Sequence, residues 1–101
     1  MSTIAEKIHV IERLSSDPVE TTQLLDKVIY FLTEKDRKKL AGFQEKLSAL
    51  ELQYGMSTAE FQQRFGSGEL GDAPQWFDWD GYAALAASLD AKLAATEAWR
   101  G

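Results

Sequence analysis

The sequence comprises 101 residues with a formal net charge of −5, of which 45% are hydrophobic and 27% are charged. These values are ordinary for a soluble globular protein and predict a single domain spanning residues 1–101. The absence of cysteine excludes disulfides and cysteine-based zinc sites, and neither a signal peptide nor a membrane span of about 20 apolar residues is recognisable, so we expect a cytoplasmic location.

An amphipathic helix is predicted near the N-terminus. Ile4, Ile8, Ile11 and Leu14 recur every three or four residues, with charged residues between them. A strand over residues 9–12 is the weaker alternative. His9 is the only histidine and has no neighbouring metal-ligand pattern, so we expect a structural rather than a metal-binding role for it.

A second helix is predicted to begin at Pro18, because Asp17 can act as its N-cap and proline favours the first helical position. A broad apolar face follows, formed by Leu24, Leu25, Val28, Ile29, Phe31 and Leu32. Near Glu34 the sequence again has the features of a helix start, which leaves two alternatives. Either a third helix begins there, or the two stretches form one bent helix.

The most regular apolar period of the chain belongs to the third helical stretch. Its residues are spaced three and four apart, like the a and d positions of a coiled coil, and they are Leu40, Phe43, Leu47, Leu50 and Tyr54. Two heptads are too short for a free coiled coil, so this seam predicts either a helical hairpin or a dimer contact. Gly55 is expected to end the helix.

A cluster of basic residues lies at the start of the same stretch. It consists of Lys35, Arg37, Lys38 and Lys39. Such side chains could contact phosphate groups. However, acidic residues are interleaved with them, and the chain has neither a helix-turn-helix nor a zinc-finger spacing, so a solvated helix face is favoured over a DNA-binding site.

The segment from residue 54 to residue 82 concentrates glycines and large aromatic residues. Ser57 and Glu60 fit a capping box at the start of a short helix, which would carry Phe61 and Phe65 on one face. Glycines at positions 66, 68 and 71 can adopt the positive φ that ends a helix or turns the chain. We therefore expect an ordered corner, with Leu70 buried inside it.

The last helix is predicted from about Pro74 to Trp99, because proline favours a helix start and alanine is abundant in this stretch. Its apolar period comprises Trp79, Tyr82, Ala86, Leu89 and Leu93. Together these elements predict an all-α fold, a small bundle of four to five helices. Residues 1–55 would supply the N-terminal helices, and residues 56–101 the glycine-rich segment and the final helix.

The large aromatic residues can serve two purposes. We assign Phe61, Phe65, Phe77 and Tyr82 to the core, where aromatic rings would hold the short helix against the longer ones. Trp76 and Trp79 fit a core and an interface equally well, since tryptophan flanked by charged residues is enriched at protein interfaces.

No pattern in the sequence indicates catalysis. The acidic residues at 78 and 80 lack the first and twelfth ligands of a calcium loop, and no strand precedes the glycines at 66, 68 and 71 as phosphate binding would require. No cysteine is present, and no motif pairs a serine with the single histidine. We therefore expect a protein that is not an enzyme and that has no cofactor and no metal.

A run of about thirty residues resembles a recurrent bacterial pattern, YGMSxxEFxxRFxxGELGDxxxxFEW. The matching residues are Tyr54, Gly55, Met56, Ser57, Glu60, Phe61, Arg64, Phe65, Gly68, Glu69, Leu70, Gly71, Asp72, Phe77 and Trp79. Asp78 stands where the pattern has glutamate, and Asp80-Gly81 replaces small or apolar helix formers. The pattern is similar to that of small acidic helical antitoxins of bacterial toxin–antitoxin pairs, including partners of TumE-type toxins.

The resemblance implies a protein that neutralises a cognate toxin by direct binding. Residues 56–101 carry 3 basic and 7 acidic residues, against 8 and 9 in residues 1–55, so the C-terminal half favours a basic partner and disfavours nucleic acid. The residues predicted to bind the partner are Glu69, Asp72, Trp76, Asp78 and Trp79. Two alternatives remain, namely a structural module that forms a homodimer through the Leu40–Tyr54 seam and a DNA-binding regulator that uses the basic cluster.

Overall fold

The computed structural model describes residues 2–15 and 17–100, and within these ranges all regular structure is α-helical. The four helices are α1 (Ile4–Leu14), α2 (Pro18–Tyr54), α3 (Thr58–Gly66) and α4 (Pro74–Arg100). This confirms the predicted all-α fold with four to five helices. It also shows that residues 9–12 belong to a helix and not to the alternative strand.

Side-chain caps set the starts of α1 and α2. The Thr3 hydroxyl accepts a hydrogen bond from the Glu6 N–H at 3.1 Å, and an Asp17 carboxylate oxygen accepts one from the Glu20 N–H at 2.8 Å. Each cap satisfies a backbone donor that has no partner within its own helix. The prediction that Asp17 and Pro18 begin the second helix is confirmed.

Helix α2 is continuous over 37 residues, so no third helix begins near Glu34. The Thr33 hydroxyl donates a hydrogen bond to the Ile29 carbonyl at 2.8 Å, inside the helix. A hydroxyl used in this way does not cap a new helix start, which explains why the cap-like sequence is not a boundary. Gly55 ends the helix with a positive φ of 65°, as expected.

The chain divides into two compact units, Met1–Glu34 and Lys35–Gly101. The division lies within α2, whereas the sequence suggested a change between residues 55 and 56. The expectation that residues 1–101 form a single domain stays a prediction.

In the unit Lys35–Gly101, the core is built on one face of α4. Its buried apolar residues are Phe61, Trp79, Ala83, Ala86 and Leu93. Three of the five residues in the predicted period of α4 are buried. Tyr82 and Leu89 are only half-buried, and Ala83 lies deeper than either.

The Leu40–Tyr54 seam packs against α4 in the same chain. Tyr54 lies against Trp76 near the start of α4, with ring centroids 4.8 Å apart, and Phe43 lies 6.2 Å from Tyr82 further along that helix. Contacts in this order make the two helices antiparallel. All five seam residues, Leu40, Phe43, Leu47, Leu50 and Tyr54, are half-buried. The structure therefore corresponds to the hairpin alternative, and the dimer contact through the half-buried seam stays a prediction.

The unit Met1–Glu34 buries very little. Among its described residues only Thr33 is buried, and α1 has no buried residue at all. Large apolar side chains instead remain accessible, and Ile4 and Leu14 are each 81% exposed. The apolar periods of this unit are helical as predicted, but they do not form a core within it.

Candidate functional site

The start of α3 is held by two side chains from different places in the chain. Ser57 Oγ accepts a hydrogen bond from the Glu60 N–H at 3.1 Å, which confirms the predicted cap. The Glu51 carboxylate, from the last turn of α2, accepts one from the Thr58 N–H at 2.6 Å. A carboxylate at a helix N-terminus is favourable because of the helix dipole. The second cap was missed in the sequence, where Glu51 looks like an ordinary surface residue.

The reciprocal half of the capping box is absent. The Glu60 carboxylate does not return to Ser57 but pairs with Arg64 at 2.8 Å, one turn further along α3. Both side chains are nearly half exposed, so this pair contributes little to stability. The start of α3 is therefore fixed mainly by Ser57 and Glu51.

Trp79 is the centre of the aromatic core and not a surface residue. Its side chain is 0% exposed, and its ring stacks on Phe61 with centroids 4.1 Å apart. The indole N–H donates to the Thr58 hydroxyl at 3.2 Å, which satisfies the polar atom of a buried tryptophan. The prediction that Trp79 binds a partner is wrong for this conformation, because no part of it reaches the surface.

Phe77 and Trp76 are neighbours in the chain, but their side chains lie on different sides of α4. They are successive in the chain and therefore point about 100° apart on α4. Trp76 points toward Tyr54 and Phe61 and is half-buried, whereas Phe77 is 55% exposed and contacts Phe65 edge-on at 5.2 Å. The assignment of Phe77 to the core is therefore wrong, and Phe77 is the accessible aromatic residue of this region.

The other aromatic assignments hold to different degrees. Phe61 is fully buried, as expected for a core residue. Phe65 and Tyr82 are half-buried, so each has one side in the core and one side accessible. Trp76 keeps a partly accessible surface and stays a candidate for partner contact.

The turn between α3 and α4 presents two of the predicted acidic residues to solvent. Gly68 and Gly71 adopt φ values of 83° and 78°, which L-residues with side chains rarely adopt. Glu69 and Asp72 are exposed, while Leu70 between them is half-buried and not fully enclosed as expected. The turn is thus the ordered corner that the sequence predicted, with its carboxylates outside.

Asp78, the third predicted carboxylate, lies on a different side of α4 from Phe77. It is exposed and borders a shallow groove whose other lining residues are Lys46, Ala49, Leu50, Gln75 and Tyr82. The Lys46 ammonium lies 4.7 Å from the centroid of the Tyr82 ring, in the range of a cation–π contact. The acidic residues therefore flank the beginning of α4 and do not converge on a single pocket.

The basic cluster of α2 is partly neutralised within the chain. Lys35, Lys38 and Lys39 are exposed, but Arg37 forms an ion pair with Glu97 of α4. Asp36, in the middle of the cluster, accepts a hydrogen bond from the Lys92 ammonium at 2.7 Å, and this contact lowers the pKa of Asp36 despite its partial desolvation. These pairs agree with a solvated helix face.

The described part of the chain has no group of residues arranged to hold a metal ion. No helix in the same part is both long and apolar enough to cross a membrane. Comparison with protein-family models, curated proteins and solved structures finds no match to this chain.

Proposed function

We propose that the protein is an antitoxin-like binding protein that neutralises a toxin by covering a basic surface of it. The observation that carries the proposal is the surface around the start of α4, where Glu69, Asp72 and Asp78 are exposed. The resemblance of residues 54–79 to small acidic antitoxins supports this function. The protein would act in the cytoplasm, as a non-catalytic partner of the toxin.

The aromatic contact in this proposal comes from Phe77 and the accessible part of Trp76. Exposed aromatic side chains beside charged residues are typical of binding hot spots, because they bury a large area when a partner excludes water. Phe77 is 55% exposed although its edge is supported by Phe65. The ring is thus accessible and already oriented, which lowers the entropy lost on binding.

The acidic residues would provide orientation and association rate rather than most of the affinity. Residues 56–101 carry 7 acidic and 3 basic residues, so the field of this region attracts a positively charged protein surface. A toxin that acts on nucleic acid would present such a surface. Its neutralisation would then follow from simple coverage and would require no chemistry from this chain.

Co-expression with the product of the adjacent gene, followed by size-exclusion chromatography, tests the proposal. We expect one co-eluting complex at low salt that weakens as the ionic strength rises. The charge reversals Glu69→Lys, Asp72→Lys and Asp78→Lys together should weaken binding about tenfold or more. Glu45→Lys is a control on the charge change, because Glu45 is exposed on α2 outside this surface.

Two results would contradict the proposal. The first is a pair of proteins that elute separately at every salt concentration. The second is a complex that tolerates the three reversals and the Phe77→Ala substitution as well as it tolerates Glu45→Lys. Phe77→Ala is informative here because the exposed ring contributes little to the core.

A further inference from the structure

The unit Met1–Glu34 carries two matching apolar stripes that its described residues leave exposed. Ile4, Ile8 and Ile11 lie on one side of α1, and Leu24, Val28 and Phe31 lie on one side of the N-terminal part of α2. Both sets have the spacing i, i+4, i+7, which aligns side chains along one helix face. All six are exposed, and Phe31 is 67% exposed. We call these six residues the unit-1 stripes.

Exposed apolar residues of this kind are concentrated in one unit. Of the 14 large apolar side chains that are exposed among the described residues, 11 lie between residues 4 and 32. Scattered apolar residues are normal on a protein surface, but aligned groups of them mark an interaction site. Short helices gain most of their stability from packing an apolar face, so this unit needs a covering surface.

We propose that a second copy of this chain covers the unit-1 stripes. The two-helix units of the two copies would form a four-helix bundle around a two-fold axis, in which each copy contributes the same patch. The proposal is independent of the antitoxin function and uses different residues.

The exposed area agrees with an interface of this size. The chain exposes 7595 Å², whereas a folded monomer of 11.3 kDa is expected to expose about 5,700 Å². The excess is about 1,900 Å², compared with about 800 Å² per partner in a standard interface and about 1,000–2,500 Å² in an obligate dimer. The whole chain therefore exposes enough surface for a stable dimer, and the exposed side chains of the unit-1 stripes are part of that surface.

The charges beside the stripes also suit a second copy. Each stripe has a residue of either sign beside it on the helix surface, namely Lys7 and Glu12 on α1 and Glu20 and Lys27 on α2. A two-fold interface can place the acidic residue of one copy against the basic residue of the other, because the same patch is present twice. Exposed pairs of this kind set the register of the two copies and add little affinity. Residues 1–34 carry 6 acidic and 3 basic residues in total, so the net repulsion between the copies is the larger electrostatic effect, and higher salt should strengthen the association by screening it.

Sedimentation equilibrium of the full chain tests the proposal. We expect a dimer, and we expect Val28→Glu with Phe31→Glu to raise its dissociation constant by about 30-fold or more, as for hot-spot residues. Leu52→Glu is the control, because Leu52 is 86% exposed on the same helix but lies outside the stripes. The control should change the dissociation constant less than about twofold.

Disulfide trapping provides a second measurement that does not depend on a destabilising change. The chain has no cysteine, so Leu24→Cys, Val28→Cys and Phe31→Cys can each be introduced singly. At least one of them should give a covalent dimer on mild oxidation at a protein concentration where Leu52→Cys stays uncoupled.

A monomer at all concentrations overturns the proposal, and so does a dimer that resists the double substitution and is not trapped at any of the three cysteines. A dimer that weakens as salt rises would indicate that the acidic surface of residues 56–101 binds a basic surface of the second copy. That result also overturns the proposal. The three reversals at Glu69, Asp72 and Asp78 should leave the dimer intact, so failure here is separable from failure of toxin binding.

Discussion

Both units of this protein have apolar residues at helical spacing, but these residues are buried in one unit and exposed in the other. In Lys35–Gly101, Phe61 and Trp79 are completely buried, and their rings stack. In Met1–Glu34, aligned apolar residues such as Phe31 face solvent, and Thr33 is the buried residue. Periodic apolar residues thus predict a helix in both units, but burial depends on whether the same chain supplies a second apolar face.

The difference also concerns the kind of contact that each unit makes. The larger unit has hydrogen bonds and ion pairs between helices, such as Trp79 to Thr58 and Lys92 to Asp36. The polar contacts described in the smaller unit are between residues three or four apart, as in Thr3 with Glu6. Local contacts set where helices begin, whereas contacts between helices fix a tertiary arrangement. The following substitutions test this contrast.

Trp79→Ala should have the largest effect. It removes a fully buried ring, its stacking on Phe61 and the hydrogen bond to Thr58, and we expect a loss of about 3–5 kcal/mol in the free energy of unfolding. Phe77→Ala is the matched control on the same helix, and its loss should be well below that, because the ring is 55% exposed. Urea denaturation followed by circular dichroism measures both variants. Equal losses would mean that α4 is rotated about its axis, so that Phe77 is as deeply buried as Trp79.

The same pair of residues shows what the sequence could and could not predict. The apolar period of α4 and the start at Pro74 were sufficient to identify the helix. The period placed Trp79, and not Phe77, on the face that carries Ala86 and Leu93, but it did not show whether the rest of the chain or a partner covered that ring. The decision comes from Phe61, the Thr58 hydroxyl and Tyr54, which surround Trp79 from two other helices.

Part of the candidate surface could be predicted because it depends on local sequence alone, whereas the rest depends on how the helices are arranged. Glu69 and Asp72 flank a leucine between two glycines, and such a turn exposes its carboxylates wherever it packs. The role of Glu51 as a second cap of α3 could not be recognised, because it depends on the chain reversing at Gly55. The position of Asp78 relative to Phe77 likewise required the actual rotation of α4.

Gly68→Ala should have the next largest effect. Nothing lies within 4 Å of the position of an added Cβ, so the cost comes from the backbone, whose φ is 83°. We expect a loss of about 1–2 kcal/mol. Gly66→Ala is the control, since Gly66 lies within α3 with the same open space and should be neutral or slightly stabilising. A neutral Gly68→Ala would show that the turn relaxes and is not an ordered corner.

Removing one helix cap from each unit should have different effects on stability in the two units. Ser57 and Thr3 both accept a hydrogen bond from a backbone N–H at 3.1 Å. Ser57→Ala should lower the stability of the larger unit by about 1 kcal/mol. Thr3→Ala should mainly increase fraying of α1, because that helix buries no residue and is not part of a cooperative core.

Hydrogen exchange of individual amides distinguishes these effects. In Ser57→Ala, we expect faster exchange throughout the slowly exchanging amides of α3 and α4. In Thr3→Ala, the increase should be confined to α1, provided that the protein concentration is low enough for the proposed dimer to be dissociated. A uniform increase throughout the chain in both variants would contradict the contrast between the units.

The smallest effect should be a pH dependence at the Asp36–Lys92 pair. The hydrogen bond from Lys92 lowers the pKa of Asp36, and the charges of Lys92, Lys39 and Lys35 act in the same direction, while desolvation opposes them. Because the folded-state pKa lies below the ordinary value of 3.8, the stabilisation is fully present above that pH and is lost as the pH falls through the lower folded-state value. Lys92→Met should therefore lower the melting temperature slightly at neutral pH, with a difference that shrinks in strong acid. Lys38→Met is the matched control, since Lys38 does not contribute to this pKa shift. A difference that persists unchanged in acid would mean that the contribution of Lys92 to the stability of the hairpin does not depend on the charge of Asp36.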